Sequence, residues 1–161
     1  MANIITGDLK SEDLRICIIS SRFNEPVTEN LVQGALTAMK NNGIDEKNID
    51  IVYVPGAFEI PAVYKTLCRQ NTDRKKYDGF ITVGCVIKGE TAHFEYISES
   101  VTDSINKISY DYEIPSAFCV LTCYTPLQAH QRSIIPPDAV NNKGFESALT
   151  LLEMINLLKK L

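Results

Sequence analysis

The chain has 161 residues, a formal net charge of −4 and five cysteines, a length that suits one compact α/β domain with a proper core. No basic block points to nucleic acid or to an anionic membrane surface, and no apolar run reaches membrane-spanning length. The start has no charged region followed by an apolar core, and no composition shift divides the chain, so a single cytoplasmic domain over 1–161 is expected.

Residues 3–5, Asn-Ile-Ile, are too few for a stable strand alone. An N-terminal extension over 1–12 that pairs with a neighbouring subunit is therefore expected. Leu14 to Ser20 reads as a strand buried on both faces, because it is apolar and rich in β-branched residues. It ends in a polar loop, Ser21 to Pro26, with Phe23 at its centre. An isolated loop aromatic is either a stacking platform for a flat ligand or a plug, the plug being commoner. Pro26 suits a first helical turn, Val27, Leu31, Ala35 and Met39 continue at helical spacing, and Asn42-Gly43 closes the helix.

Ile49 to Val54 is the next strand, followed by Pro55-Gly56-Ala57-Phe58-Glu59-Ile60-Pro61. Gly56 and Ala57 leave backbone N–H and C=O groups uncovered for a polar ligand. A helix then runs to about Gln70, and Asn71 to Asp78 reads as a solvated connection whose Arg74-Lys75-Lys76 run is surface. Gly79 to Ile87 is a third buried-strand pattern. After Lys88-Gly89-Glu90-Thr91-Ala92 the period changes: Phe94, Ile97, Val101, Ile105 and Ile108 share one face of a long helix. The first turn of that helix carries unpaired N–H groups and a partial positive charge, so an anion can sit beside Gly89. His93, in the same turn, is disfavoured as imidazolium by the dipole and is a candidate general base. Equally, from the residues alone, Thr91 serves as an N-cap and His93 as a surface histidine, the commoner arrangement.

Pro115 to Thr122 gives the last strand, Thr125-Pro126 opens a short helix to Arg132, and Pro136-Pro137 keep 133–142 from being helical throughout. Lys143-Gly144-Phe145-Glu146 begins a final helix. His130 reads as solvent-exposed. Cys17, Cys68, Cys85, Cys119 and Cys123 form no C-x-x-C pair and read as buried, reduced thiols. Strands alternating with helices imply a parallel sheet with helices on both faces, which binds ligands at the carboxyl ends of its strands. Phe23-Asn24, Gly56 to Glu59 and Lys88 to His93 gather on that edge.

Ser21-Arg22-Phe23-Asn24, Pro55 to Pro61, Gly84 to Tyr96, Ile114-Pro115 and Asn142 to Glu146 together resemble the lumazine synthase family, in order and over nearly the whole chain. The resemblance implies a flavodoxin-like three-layer αβα sandwich with a central four-stranded parallel sheet. It implies condensation of 5-amino-6-(D-ribitylamino)uracil with 3,4-dihydroxy-2-butanone 4-phosphate to 6,7-dimethyl-8-ribityllumazine, phosphate and water, a transferase reaction using no metal and no organic cofactor. By the same resemblance Phe23 stacks on the pyrimidine and Asn24 lines its pocket. Ala57, Phe58 and Glu59 hold the ribityl chain and ring, and Val86, Ile87 and Lys88 face the heterocycle. Gly89, Glu90 and Thr91 bind phosphate with Arg132, and His93 carries protons. Phe118 covers the pyrimidine from a neighbouring chain, with Lys143 and Glu146 supporting, Glu146 through an ion pair to Arg132.

The implied partners are these small molecules, four further copies in a pentamer with sites between adjacent subunits, and a functional link to riboflavin synthase. Some members assemble twelve pentamers into a sixty-subunit icosahedral shell. The link from Ser133 to Asn142 is longer than in many shell formers and lacks their lysine, which favours a free pentamer. Glu90 repels a phosphate unless it points away or pairs with Lys88. Two other activities fit the same fold: an archaeal-type riboflavin synthase and a non-catalytic flavin or lumazine carrier.

Overall fold

The computed structural model describes residues 1–11 and 13–161. Four strands, Ile16–Ser21 (β1), Ile49–Val54 (β2), Gly79–Ile87 (β3) and Ser116–Cys123 (β4), form one sheet in the order β2-β1-β3-β4. Every pairing is parallel. The helices are Glu25–Asn41 (α1), Ile60–Asp73 (α2), His93–Tyr112 (α3), Pro126–Gln131 (α4) and Lys143–Leu158 (α5). All six residues of β1 are buried, which a strand achieves only when both faces of its sheet are covered.

The period of two in β1 sorts its side chains between two cores. Ile16 and Ile18 join Leu31, Ala35 and Met39 of α1 and Leu151 and Leu152 of α5. Cys17 and Ile19 join Ile60 and Tyr64 of α2 and Val101 and Ile105 of α3. Each fully buried large aliphatic side chain contributes about 1.5–3 kcal/mol. The result is the three-layer αβα arrangement expected from the sequence, with α1 and α5 on one face and α2 and α3 on the other.

Helix ends follow local chemistry. Gly43 has φ 89°, the left-handed conformation that lets the chain turn out of α1. Asn42 N–H bonds back to the Ala38 and Met39 carbonyls. At the start of α5 the Asn142 side chain accepts from Gly144 N–H at 2.9 Å and Phe145 N–H at 3.1 Å. Gly144 packs so closely on α1 that a Cβ there would overlap the Leu31 carbonyl.

Residues 3–5 form no strand within the chain, in keeping with their length, and Ile4 is exposed. The following residues are strapped to α5, where the Asn156 amide donates to the Asp8 and Lys10 carbonyls at 2.9 and 2.7 Å and Lys160 Nζ reaches Thr6 O and Asp8 Oδ2. One expectation changes: 71–78 is not simply solvated. Helix α2 continues to Asp73, and buried Asn71 bonds Lys76 N–H, Tyr77 N–H and Tyr77 O. These bonds hold Tyr77 edge-on against Phe80.

This turn delivers Lys76 Nζ and Tyr77 OH to Asp50 Oδ2 at 2.6 and 2.5 Å. Their hydrogen bonds hold the Asp50 carboxyl below its ordinary value. A carboxyl with a depressed folded-state pKa stabilises the fold above its unfolded value, and that contribution is lost as pH falls through the folded one. Asp50→Asn is therefore expected to lower stability by about 0.5–1 kcal/mol at neutral pH, as for a half-exposed pair. In urea denaturation across a pH series, the gap to the parent protein narrows once pH drops below about 3.9.

Candidate functional site

In a sheet of order β2-β1-β3-β4 the connections leave β1 and β3 in opposite directions, and a crevice opens at their carboxyl ends. A cavity of about 670 Å³ occupies it, lined by Phe23, Gly56 to Glu59, Cys85 to Ile87, Gly89, Thr91, His93, Phe94 and Ile97. That volume suits a small organic ligand.

Past the end of β1, Arg22 N–H donates to Val54 O at 2.9 Å and Phe23 N–H to Pro55 O at 3.0 Å. These bonds extend the β1–β2 pairing and fix the backbone at Phe23, whose ring remains 70% exposed at the cavity's edge. Asn24 takes a left-handed conformation, φ 61°, and its Nδ2 donates to Cys85 O at 2.9 Å. Its amide ties the β1–α1 loop to β3 and is absent from the lining, contrary to expectation. The Glu59 carboxylate accepts from Gly56 N–H at 3.0 Å, so that N–H is already partnered. Val86 and Ile87 form a half-buried apolar wall where β3 emerges.

Helix α3 begins at His93 with Ala92 as its cap residue, and no side chain caps it. Thr91, expected as the cap, sits one position earlier, its Oγ1 3.5 Å from His93 N. The first-turn amides therefore lack a strong side-chain acceptor. A Cβ built on Gly89 would meet nothing within 4 Å, so the loop backbone is open to an incoming group. His93 is exposed and lines the cavity.

Lys88 does not pair with Glu90. Its Nζ lies 3.0 Å from Glu95 Oε1 and 5.8 Å from the Tyr124 ring centroid. The ammonium holds the Glu95 carboxyl below its ordinary value. Neither Lys88 nor Glu90 lines the cavity. Phe94, Cys85 and Ile97 do, although their residue types carry no functional signal. Their one signal is position, beside the strand end or in the first turns of the helix that follows it.

The remaining candidates lie elsewhere. Phe118, Arg132, Lys143 and Glu146 line a separate cavity of about 270 Å³ between β4 and the start of α5. The two cavities share no lining residue. Arg132 Nη1 donates to Gln128 O at 3.0 Å, and Glu146 pairs with Lys143. The expected Glu146–Arg132 pair is not formed, because Lys143 is three residues from Glu146 on the same helix and takes its carboxylate.

The family model for 6,7-dimethyl-8-ribityllumazine synthase matches residues 13–159. The chain belongs to this family. Lumazine synthase family membership gives it a role in riboflavin biosynthesis. Among solved structures, the chain is similar to a GDP-L-fucose synthetase from Naegleria fowleri at 14% identity and TM-score 0.40, over 99% of this chain and 49% of that one. The chain thus spans about half the length of that protein, and a likeness this low bears on neither activity nor site.

Among the described residues, no helix of this lumazine synthase family chain is long and apolar enough to cross a membrane. No group of three or more His, Cys, Asp or Glu side chains among them could hold a metal ion. All five cysteines are free and buried. Burial pushes the thiols of Cys17, Cys85 and Cys119 up to about 12 and that of Cys68 to about 11. A thiol reacts as its thiolate. Titration with a disulfide reagent at pH 8 is expected to show no fast-reacting sulfur in the native protein and five after denaturation.

Proposed function

We propose that the chain catalyses condensation of 5-amino-6-(D-ribitylamino)uracil with 3,4-dihydroxy-2-butanone 4-phosphate, releasing phosphate and water and forming 6,7-dimethyl-8-ribityllumazine. The observation that carries this reading is the division of the candidate residues. An aromatic and apolar crevice with an uncapped helix start occupies the strand ends, while the cationic residues and Phe118 line a disjoint cavity. Each is half of a site, and a neighbouring copy supplies the other half.

In this reading Phe23 stacks on the pyrimidine, and Asn24 shapes the loop that carries it. Ala57, Phe58 and Glu59 meet the ribityl chain and ring, and Val86 and Ile87 pack on the heterocycle. Lys88 stands at the rim. The amides of Gly89, Glu90 and Thr91 receive the phosphate, helped by the positive end of α3. Arg132 of the adjacent protomer neutralises it, Lys143 stands beside it, and Phe118 closes over the ring. Glu90 keeps its carboxylate in solvent while its backbone binds.

The nucleophile is the substrate's own amine, which attacks the ketone carbonyl, so no lysine or cysteine of the chain is needed for covalent catalysis. Loss of water gives an imine, phosphate departs, and the ribitylamino nitrogen closes the ring with loss of a second water. His93 moves the protons of these steps. Juxtaposing two substrates supplies much of the acceleration, and proton transfer by His93 adds a further general acid–base contribution.

His93→Ala is expected to lower kcat by about a hundredfold or more without abolishing turnover. Arg132→Ala is expected mainly to raise KM for the phosphorylated substrate. A fully active Arg132→Ala in steady-state kinetics contradicts the assigned anion site. The assembly in this reading is a pentamer of single-domain subunits, with residues 1–12 reaching a neighbour. Sedimentation is expected to give about five times the 18.0 kDa chain mass, and a megadalton particle overturns the free pentamer.

A further inference from the structure

Arg132 and Lys143 face one cavity although ten residues separate them. What holds them in register is Asn142. Its side chain is fully buried and all its hydrogen-bonding capacity is used. Oδ1 accepts from Gly144 and Phe145 N–H, while Nδ2 donates to Asn30 O of α1 at 3.0 Å and to Ile134 O at 3.1 Å. Beside it, Ser133 and Asn142 form an isolated antiparallel bridge, and Lys143 N–H donates to Arg132 O at 2.8 Å. Thus one amide joins α1, the foot of the link and the start of α5, and the main chain carries its position to Arg132.

The link's tip is closed by the Asp138 side chain and meets Asn142 only through the main chain, where Asn142 N–H donates to Asp138 O at 3.2 Å. Asp138 Oδ1 accepts from Val140 and Asn141 N–H, both at 2.8 Å. The choice of residue at 142 is informative. Capping alone is served as well by aspartate, and the helix dipole favours aspartate. Only the amide also donates, and here its two bonds go to carbonyls that a carboxylate would repel.

We propose that Asn142, through its side-chain amide, is a positioning residue for the anion-binding pair Arg132 and Lys143. This rests on the reading of that cavity as half of the phosphate site.

The test is steady-state kinetics on Asn142→Asp, Asp138→Ala and Arg132→Ala. Asn142→Asp raises KM for the phosphorylated substrate about tenfold, the scale of one loosened charge-assisted contact. It leaves kcat and the KM of the pyrimidine substrate within about twofold. Asp138→Ala, at the tip, leaves all three unchanged. A folded Asn142→Asp with the parent's KM, beside an Arg132→Ala whose KM has risen, overturns the positioning role alone. An unchanged KM in Arg132→Ala removes the reading beneath it as well.

Should Asn142→Asp fail to fold, amide exchange of the parent protein with saturating inorganic phosphate decides. Slowing at Lys143, Gly144 and Phe145 but not at Val140 supports the proposal. Equal slowing across the link, or none at all, overturns it.

Discussion

The structure depends on the parallel pairing of β1 with β2 on one side and β3 on the other. A strand held this way has both faces to bury, and Ile16 to Ser21 meet that demand with no exposed residue. The helices must then divide into two layers, and the chain must cross from one side of β1 to the other. That crossing leaves a gap at the carboxyl ends which no side chain of the sheet fills. The crevice is therefore a product of topology, and the loops only decorate it.

Much of this was legible in the residues because it depends on local pattern. β-branched apolar runs marked all four strands within a residue or two, and steps of three and four marked the helices. Both periodicities report how a segment meets the core, whatever the rest of the chain does. Most features that local pattern does not show depend on contacts outside their own segment. The Asn24 amide reaches a carbonyl sixty-one positions away. Asn71 sits at the head of a charged stretch, yet its side chain folds the turn that follows it. The strap from Thr6 to Lys10 uses α5 at the opposite end of the sequence.

The site follows the same division. Strand-end position identified Phe23, Ala57, Phe58, Glu59 and His93, and the structure gathers them around one cavity. Spacing could not show that Phe118 and Arg132 would lie apart from them, since distance between two surfaces of a chain leaves no periodic trace. Nor could it show the competition for Glu146, which a lysine one helical turn away wins from an arginine fourteen residues back. Ion pairs at this exposure are set by geometry and entropy as much as by charge.

The five sulfurs have a practical consequence. Each is buried in a core, Cys17 and Cys68 on one side of the sheet and Cys85, Cys119 and Cys123 on the other. A single cysteine introduced at an outward-facing position would then be the one group to take a maleimide dye, so fluorophores or spin labels can be attached without first stripping the native sulfhydryls.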